Sequence, residues 1–173
     1  MRRTRAVVVL LLVAVVSACG STAHKRTVTI TFPSMEPGFV KGDVVTVEPV
    51  PAHLKTGMIV VFKDPGGWLD PTVKNGELLK RIIGVGGDHV KCCDAQGRVT
   101  INGKALDESG YLEQQGPRGA EPFDVTVPVG KLWMMGDNRF NSADSRFHVS
   151  EPGGGFVDEN LVTGWIPKAP HAK

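Results

Sequence analysis

Three stretches of this chain hold residue types whose spacing could do chemistry. In Pro33-Ser34-Met35-Glu36-Pro37-Gly38 a serine stands between two prolines just past a strand-like run. Proline fixes φ, so the Ser34 hydroxyl would be presented with little backbone freedom, as a nucleophile requires. In Leu78-Leu79-Lys80-Arg81-Ile82-Ile83 strand alternation puts Lys80 on the face shared by Leu78 and Ile82, with Arg81 pointing the other way. An ammonium among aliphatic side chains loses hydration, which lowers its pKa and can make it a neutral base. In residues 135–146 two Asp, two Asn, two Ser and two Arg fall within twelve positions. That density suits carboxylates meeting guanidinium forks. Each stretch also has a plainer reading: an ordinary turn, a lysine that snorkels to water, and a solvated loop.

Other chemistries find less support. The five histidines, His24, His53, His89, His148 and His171, are scattered, and none shares a motif with a serine, a cysteine or an acid pair. No His-Glu-x-x-His, no spaced Cys/His set and no glycine-rich phosphate loop occurs, so neither a metal nor a nucleotide cofactor is expected. Cys92 and Cys93 are adjacent. This spacing points to a structural or weakly redox-active turn rather than to zinc ligands.

The elements that must position these residues are short. Glycine and proline number 21 and 12 of 173 residues, about a fifth of the chain against roughly an eighth in average proteins. Alternating or apolar runs predict strands over 27–32, 43–48, 58–62, 77–85, 89–93, 96–101, 123–129, 131–135 and 160–166. Asn102-Gly103 is a two-residue hairpin turn signal. Residues 63–76 read as a loop and 107–122 as a polar surface excursion. No amphipathic helix of useful length is present. The expected fold class is mostly β, a barrel or sandwich.

Charge divides the chain in two. Residues 1–26 hold Arg2, Arg3, Arg5, Lys25 and Arg26 and no acid, which leaves 15 basic against 18 acidic groups over residues 27–173. A body with no basic excess is a poor nucleic-acid binder. The arginines precede an apolar run, residues 6–18, the layout of an export signal or an N-terminal membrane anchor. As a helix these thirteen residues rise about 20 Å, short of a hydrocarbon core of roughly 30 Å. Val16-Ser17-Ala18-Cys19 is similar to the lipobox of bacterial lipoproteins, which would make Cys19 a lipidation site. The expected organisation is a leader over 1–26, as membrane anchor or lipoprotein-type signal, and a β-rich catalytic domain over 27–173 outside the cytoplasm.

Four ordered motifs then carry a family resemblance: Ser34-Met35-x-Pro37; Gly42-Asp43-x-Val45-x-Val47; Lys80-Arg81-x-Ile83-Gly84-x-x-Gly87-Asp88; and Gly136-Asp137-Asn138-Arg139-x-Asn141-Ser142-x-Asp144-Ser145-Arg146. In this order they resemble the boxes of bacterial type I signal peptidases, across about residues 27–166. The Asp64-Pro65-Gly66-Gly67-Trp68 loop and the paired cysteines look most like actinobacterial members. The resemblance implies a membrane-tethered serine endopeptidase that removes signal peptides from exported preproteins by a Ser/Lys dyad, without cofactor. Ser34 matches the nucleophile and Lys80 the general base. Ser142 matches the serine that orients the lysine, Asp144 and Arg146 a structural ion pair, and Asp137 a supporting carboxylate. Phe32, Met35 and Leu79 are the expected substrate-pocket residues. Phe32 and Pro33 depart from the family's pattern, which has Ser or Gly two residues before the nucleophile. Two alternatives remain open: a self-cleaving Ser/Lys peptidase, and a lipoprotein that keeps the fold but only binds peptides or partners.

Overall fold

The computed structural model describes residues 24–72, 76–112 and 122–171. The apolar leader, and with it Cys19, lies outside the described residues. Among the described residues no helix is long and apolar enough to cross a membrane.

The fold is mostly β. Its strands are β1 (Arg26–Thr29), β2 (Val44–Val47), β3 (Ile59–Lys63), β4 (Glu77–Val85), β5 (His89–Cys92), β6 (Val99–Ile101), β7 (Lys104–Ala105), β8 (Phe123–Thr126), β9 (Lys131–Met135), β10 (Val157–Asp158) and β11 (Val162–Ile166). Short 3-10 turns occupy Pro33–Met35 and Glu159–Leu161. All pairings are antiparallel: a ribbon β1-β2, a five-stranded sheet β10-β9-β4-β3-β11 and a four-stranded sheet β7-β6-β5-β8. A bridge between Glu48 and Trp165 joins the ribbon to the β11 edge.

The central sheet is buried on both faces, and strand alternation sorts its side chains. Ile59 and Val61 face a cluster with Val45 and Val47 of the ribbon, together with Met35 and Phe39. Val60, Phe62, Leu78, Ile82, Leu132 and Met134 form a second cluster on the opposite face. Ile83, Trp133 and Met135 join Val90, Val99 and Phe123 of the four-stranded sheet in a third. Each fully buried large aliphatic side chain contributes about 1.5–3 kcal/mol. β4 therefore reads as a nearly continuous apolar run because both its sides are covered.

Several boundaries differ from the sequence reading, each for a local reason. β1 stops at Thr29 and the chain folds into a 3-10 turn, because Pro33 has no N–H for a ladder and Met35 and Phe39 are drawn into the first cluster. β6 begins only at Val99, because the Asp94 carboxylate accepts from the N–H groups of Gln96 and Arg98 and closes a turn there. Asn102 and Gly103 both take positive φ and join β6 to β7 as a two-residue loop. The described part of the expected surface excursion is not superficial, since Glu108 and Leu112 are buried. Cys92 and Cys93 are joined by a disulfide.

Candidate active site

Ser34 is the middle residue of the 3-10 turn Pro33–Met35. The residue before it, Phe32, is extended (φ −122°, ψ 149°), as a residue preceding proline prefers. The turn is closed by the Glu36 N–H donating to the Pro33 carbonyl, and the buried Met35 side chain pins its end. Asn138 clamps it from across the molecule: its Nδ2 donates to the Pro33 carbonyl at 3.1 Å and its N–H to the Ser34 carbonyl at 3.0 Å.

Lys80 comes from the middle of β4, opposite Val60 of β3, and falls between Leu78 and Ile82, all three in the second cluster. The lysine is 4% exposed. Its Nζ donates to Ser34 Oγ at 2.7 Å. Burial strips water from the ammonium and pulls its pKa from 10.5 to about 8. Asp144 opposes that fall, Arg146 adds to it and Asp137 opposes it.

The polar block 135–146 folds back on the end of β9. Ser145 exchanges bonds with Met134, its Oγ accepting from the Met134 N–H and its N–H donating to the Met134 carbonyl. Asp144 takes the Arg146 guanidinium in a two-pronged grip, Nε to Oδ1 at 2.7 Å and Nη2 to Oδ2 at 2.8 Å, and also accepts from the Gly136 N–H. Asp137 grips Arg81 in the same way, at 2.8 and 2.7 Å, while Arg81 Nη1 donates to the Gly57 carbonyl. Gly136 has no room for a side chain: a Cβ there would fall inside the van der Waals shells of Ser142 Oγ and the Ser34 carbonyl oxygen.

The structure thus gathers Ser34, Lys80, Asp137, Ser142, Asp144 and Arg146 around one strand end. The Ser142 hydroxyl is buried and makes no hydrogen bond to a described residue. The lysine-orienting bond that the resemblance implied for it is therefore not formed, and the hydroxyl lies instead against Gly136.

Beside the Ser34–Lys80 pair runs a cleft of about 420 Å³ between residues 28–31 on one side and 77–80 on the other. Phe32, Met35 and Leu79 all line it, with Phe32 more than half exposed at its surface. Trp68 and Leu69 add a wall that sequence reasoning had placed only in a loop. Asp64 shapes that loop by accepting from the N–H groups of Gly66, Trp68 and Leu69. His148 stacks on Trp68 with ring centroids 4.4 Å apart, and its Nδ1 lies 2.7 Å from a Glu151 oxygen. An aromatic amid glycines and prolines was the available signal for Trp68. Next to Asp137 the buried Glu108 and the half-buried Tyr111, neither of them in any of the four motifs, meet the buried Arg139, which the fourth motif contains without a role. For Glu108 the sequence offers no signal, because its burial depends on distant partners.

Known proteins with similar sequences share one family name. A probable signal peptidase I of Mycobacterium leprae is 34% identical over 144 residues, covering 63% of this chain and 50% of that protein. Signal peptidase IB of Staphylococcus aureus is 30% identical over 156 residues, covering 80% of this chain and 73% of that protein. A crystal structure of a signal peptidase I from Enterococcus faecalis aligns at 25% identity with a TM-score of 0.49, over 68% of this chain and 99% of that one. The chain spans about half the length of its mycobacterial relative. With the family model described as signal peptidase, peptidase S26, matching residues 2–167, the chain belongs to the S26 signal peptidase family.

Proposed function

We propose that the chain is a serine endopeptidase that cleaves signal peptides from exported preproteins, with Ser34 as nucleophile and Lys80 as general base. One observation carries this reading: a hydroxyl on a proline-fixed turn lies 2.7 Å from a buried amine whose pKa is lowered to about 8. Relatives named signal peptidase I support the choice of substrate class.

At rest the Lys80 ammonium donates to Ser34 Oγ. Once the amine is neutral the bond reverses, the hydroxyl donates, and Oγ attacks the scissile carbonyl as its proton passes to Nζ. Ser34 lies in the first turn of the 3-10 segment, where N–H groups lack partners within the turn. Its N–H is therefore the donor proposed for the oxyanion. Protonated Lys80 then gives its proton to the leaving amine, and water, deprotonated by Lys80, hydrolyses the acyl-enzyme. Asp137, Asp144 and Arg146 support the pair through the field and shape of the block, and Ser142 fills the space beneath Gly136.

The substrate would lie extended in the cleft between residues 28–31 and 77–80. Backbone pairing there gives affinity, and pockets for alternate side chains give selectivity. Residues 1–26 would tether the body to the outer face of the cell membrane, as a retained span or through lipid on Cys19. The central test offers the full chain, in detergent or lipid, a peptide with Ala at −3 and −1. Cleavage is expected, and both Ser34→Ala and Lys80→Ala should abolish it. Continued cutting by Ser34→Ala would show that another residue is the nucleophile.

A further inference from the structure

Residues 107–112, between β7 and β8, send two side chains into the charged layer behind the Ser34–Lys80 pair. The Glu108 carboxylate is 4% exposed and forms a two-pronged ion pair with Arg139, whose Nη2 donates to Oε1 and Nη1 to Oε2. The Tyr111 hydroxyl donates to the same carboxylate at 2.7 Å. Its ring lies over the Arg81 guanidinium, 3.9 Å from centroid to Cζ. The N–H groups of Tyr111 and Leu112 both donate to the Glu108 carbonyl, so the segment is one tight turn. It thereby grips two arginines that belong to different motifs.

Both arginines lead to the reacting pair. Arg81 follows Lys80 on β4 and sits between Ile59 and Met135 in register, which belong to the first and third clusters. Arg139 Nε donates to the Gly136 carbonyl at 3.0 Å, and the Arg139 carbonyl accepts from Arg146 Nη2. Gly136 touches both Ser142 and the Ser34 carbonyl. Neither Glu108 nor Tyr111 lines the substrate cleft, so any effect they have on the reaction passes through these neighbours.

We propose that residues 107–112 form a positioning strap, in which Glu108, held by Tyr111, neutralises Arg139 and so keeps Asp144 and Gly136 in the arrangement that aligns Lys80 with Ser34. This rests on reading Ser34 and Lys80 as the reacting pair. The reasoning is electrostatic. Arg139 feels both Glu108 and Asp144. The charged groups that act on Lys80 are Asp144, Arg146 and Asp137, with Ser34 as its bonded partner. If the Glu108 charge is lost, Arg139 is left buried without its partner and turns toward Asp144. Asp144 then supports the Lys80 ammonium less, and the amine gives up its proton more readily.

The test uses the full chain in detergent or lipid and the same peptide across a range of pH. Glu108→Gln is expected to lower the pH-independent kcat about tenfold with KM nearly unchanged, since small misplacements of a reacting pair are costly. The midpoint of the acid limb should move down by about half a pH unit. Combining Glu108→Gln with Arg139→Gln removes both charges and should return the midpoint to its wild-type position. Glu108→Asp keeps the charge and shortens its reach, so it should lower kcat without moving the midpoint. That variant carries the test if Glu108→Gln does not fold. The Lys80 titration is read separately by NMR of lysine-labelled chain carrying Ser34→Ala, with and without Glu108→Gln. A Glu108→Gln chain that melts earlier but keeps the wild-type kcat and midpoint would overturn the strap, as would an unmoved Lys80 titration. A wild-type chain that cleaves no peptide would refute the peptidase reading instead, and the NMR midpoint would still decide the strap.

Discussion

In the role proposed for it, Lys80 would have to do two things that conflict. It must be buried to lose its proton near neutral pH, yet burying an ammonium opposes folding. The sign follows from its pKa, about 8 in the fold against an ordinary 10.5. Between those values the unfolded chain binds more protons at this residue than the folded one, so this group makes stability rise with pH across that window. Below about pH 8 the full penalty is present, on the order of 3 kcal/mol. Lys80→Met keeps the length of the side chain and discards the charge. It should raise the unfolding midpoint at pH 7 while abolishing turnover, and thermal unfolding followed from pH 6 to 10 should lose part of its pH dependence. For the wild-type chain, kcat/KM should climb about tenfold per pH unit up to about 8 and then level off. A Lys80→Met chain less stable than wild type at pH 7 would mean that the ammonium is well solvated and the lysine is not tuned as a base.

At the scale of elements, what the sequence made legible is what local rules govern. The strand holding Lys80, the Asn102-Gly103 turn and the proline-framed serine were readable because periodicity, φ preference and the lack of an N–H act within a few residues. The inward tuck of Glu108 was not, because a Glu in a polar stretch looks solvated until Arg139, 31 residues away, is known to be its partner. The same limit hid the loop that carries Trp68. Its glycines and prolines announced a loop, but only the fold shows that three N–H groups converge on Asp64 and set the indole against the cleft, backed by His148. Because those bonds are made by backbone, Trp68→Ala should leave the loop in place and remove only the wall. We expect KM to rise about tenfold for peptides with a bulky apolar residue upstream of −3, from the loss of buried apolar contact, while kcat changes little. Peptides with small residues throughout should be affected less. Equal kinetics for both peptide sets in Trp68→Ala would remove the indole from the substrate's path.

At the scale of the whole molecule the cleft is a joint between two sheets, since residues 28–31 continue the ribbon whereas 77–80 belong to the central sheet. Its width is therefore set by how the ribbon docks. The ribbon packs Val45 and Val47 on Ile59 and Val61, and one polar dock is the Glu48–Trp165 bridge. The other is a side-chain clasp: Arg26, the first residue of β1, donates from Nη1 and Nη2 to the two oxygens of Glu77, the first residue of β4, each at 2.8 Å. Thr163 of β11 donates to Glu77 and accepts from Arg26, so three strands meet in one polar knot. The pair is partly exposed, and its contribution to global stability should be small, about 1 kcal/mol or less. Its geometric effect should be larger, because Glu77 lines the cleft in which the substrate is proposed to lie. Glu77→Gln and Arg26→Gln are each expected to relax side-chain selectivity at −3, measured as the ratio of kcat/KM for Ala against Leu at that position, with little change in the melting temperature. The double variant should relax it no further than either single one, because both remove the same clasp. A selectivity ratio that falls additively in the double variant would mean that Arg26 and Glu77 act on the substrate separately, and that the ribbon is held in place by its apolar packing and the bridge without the clasp.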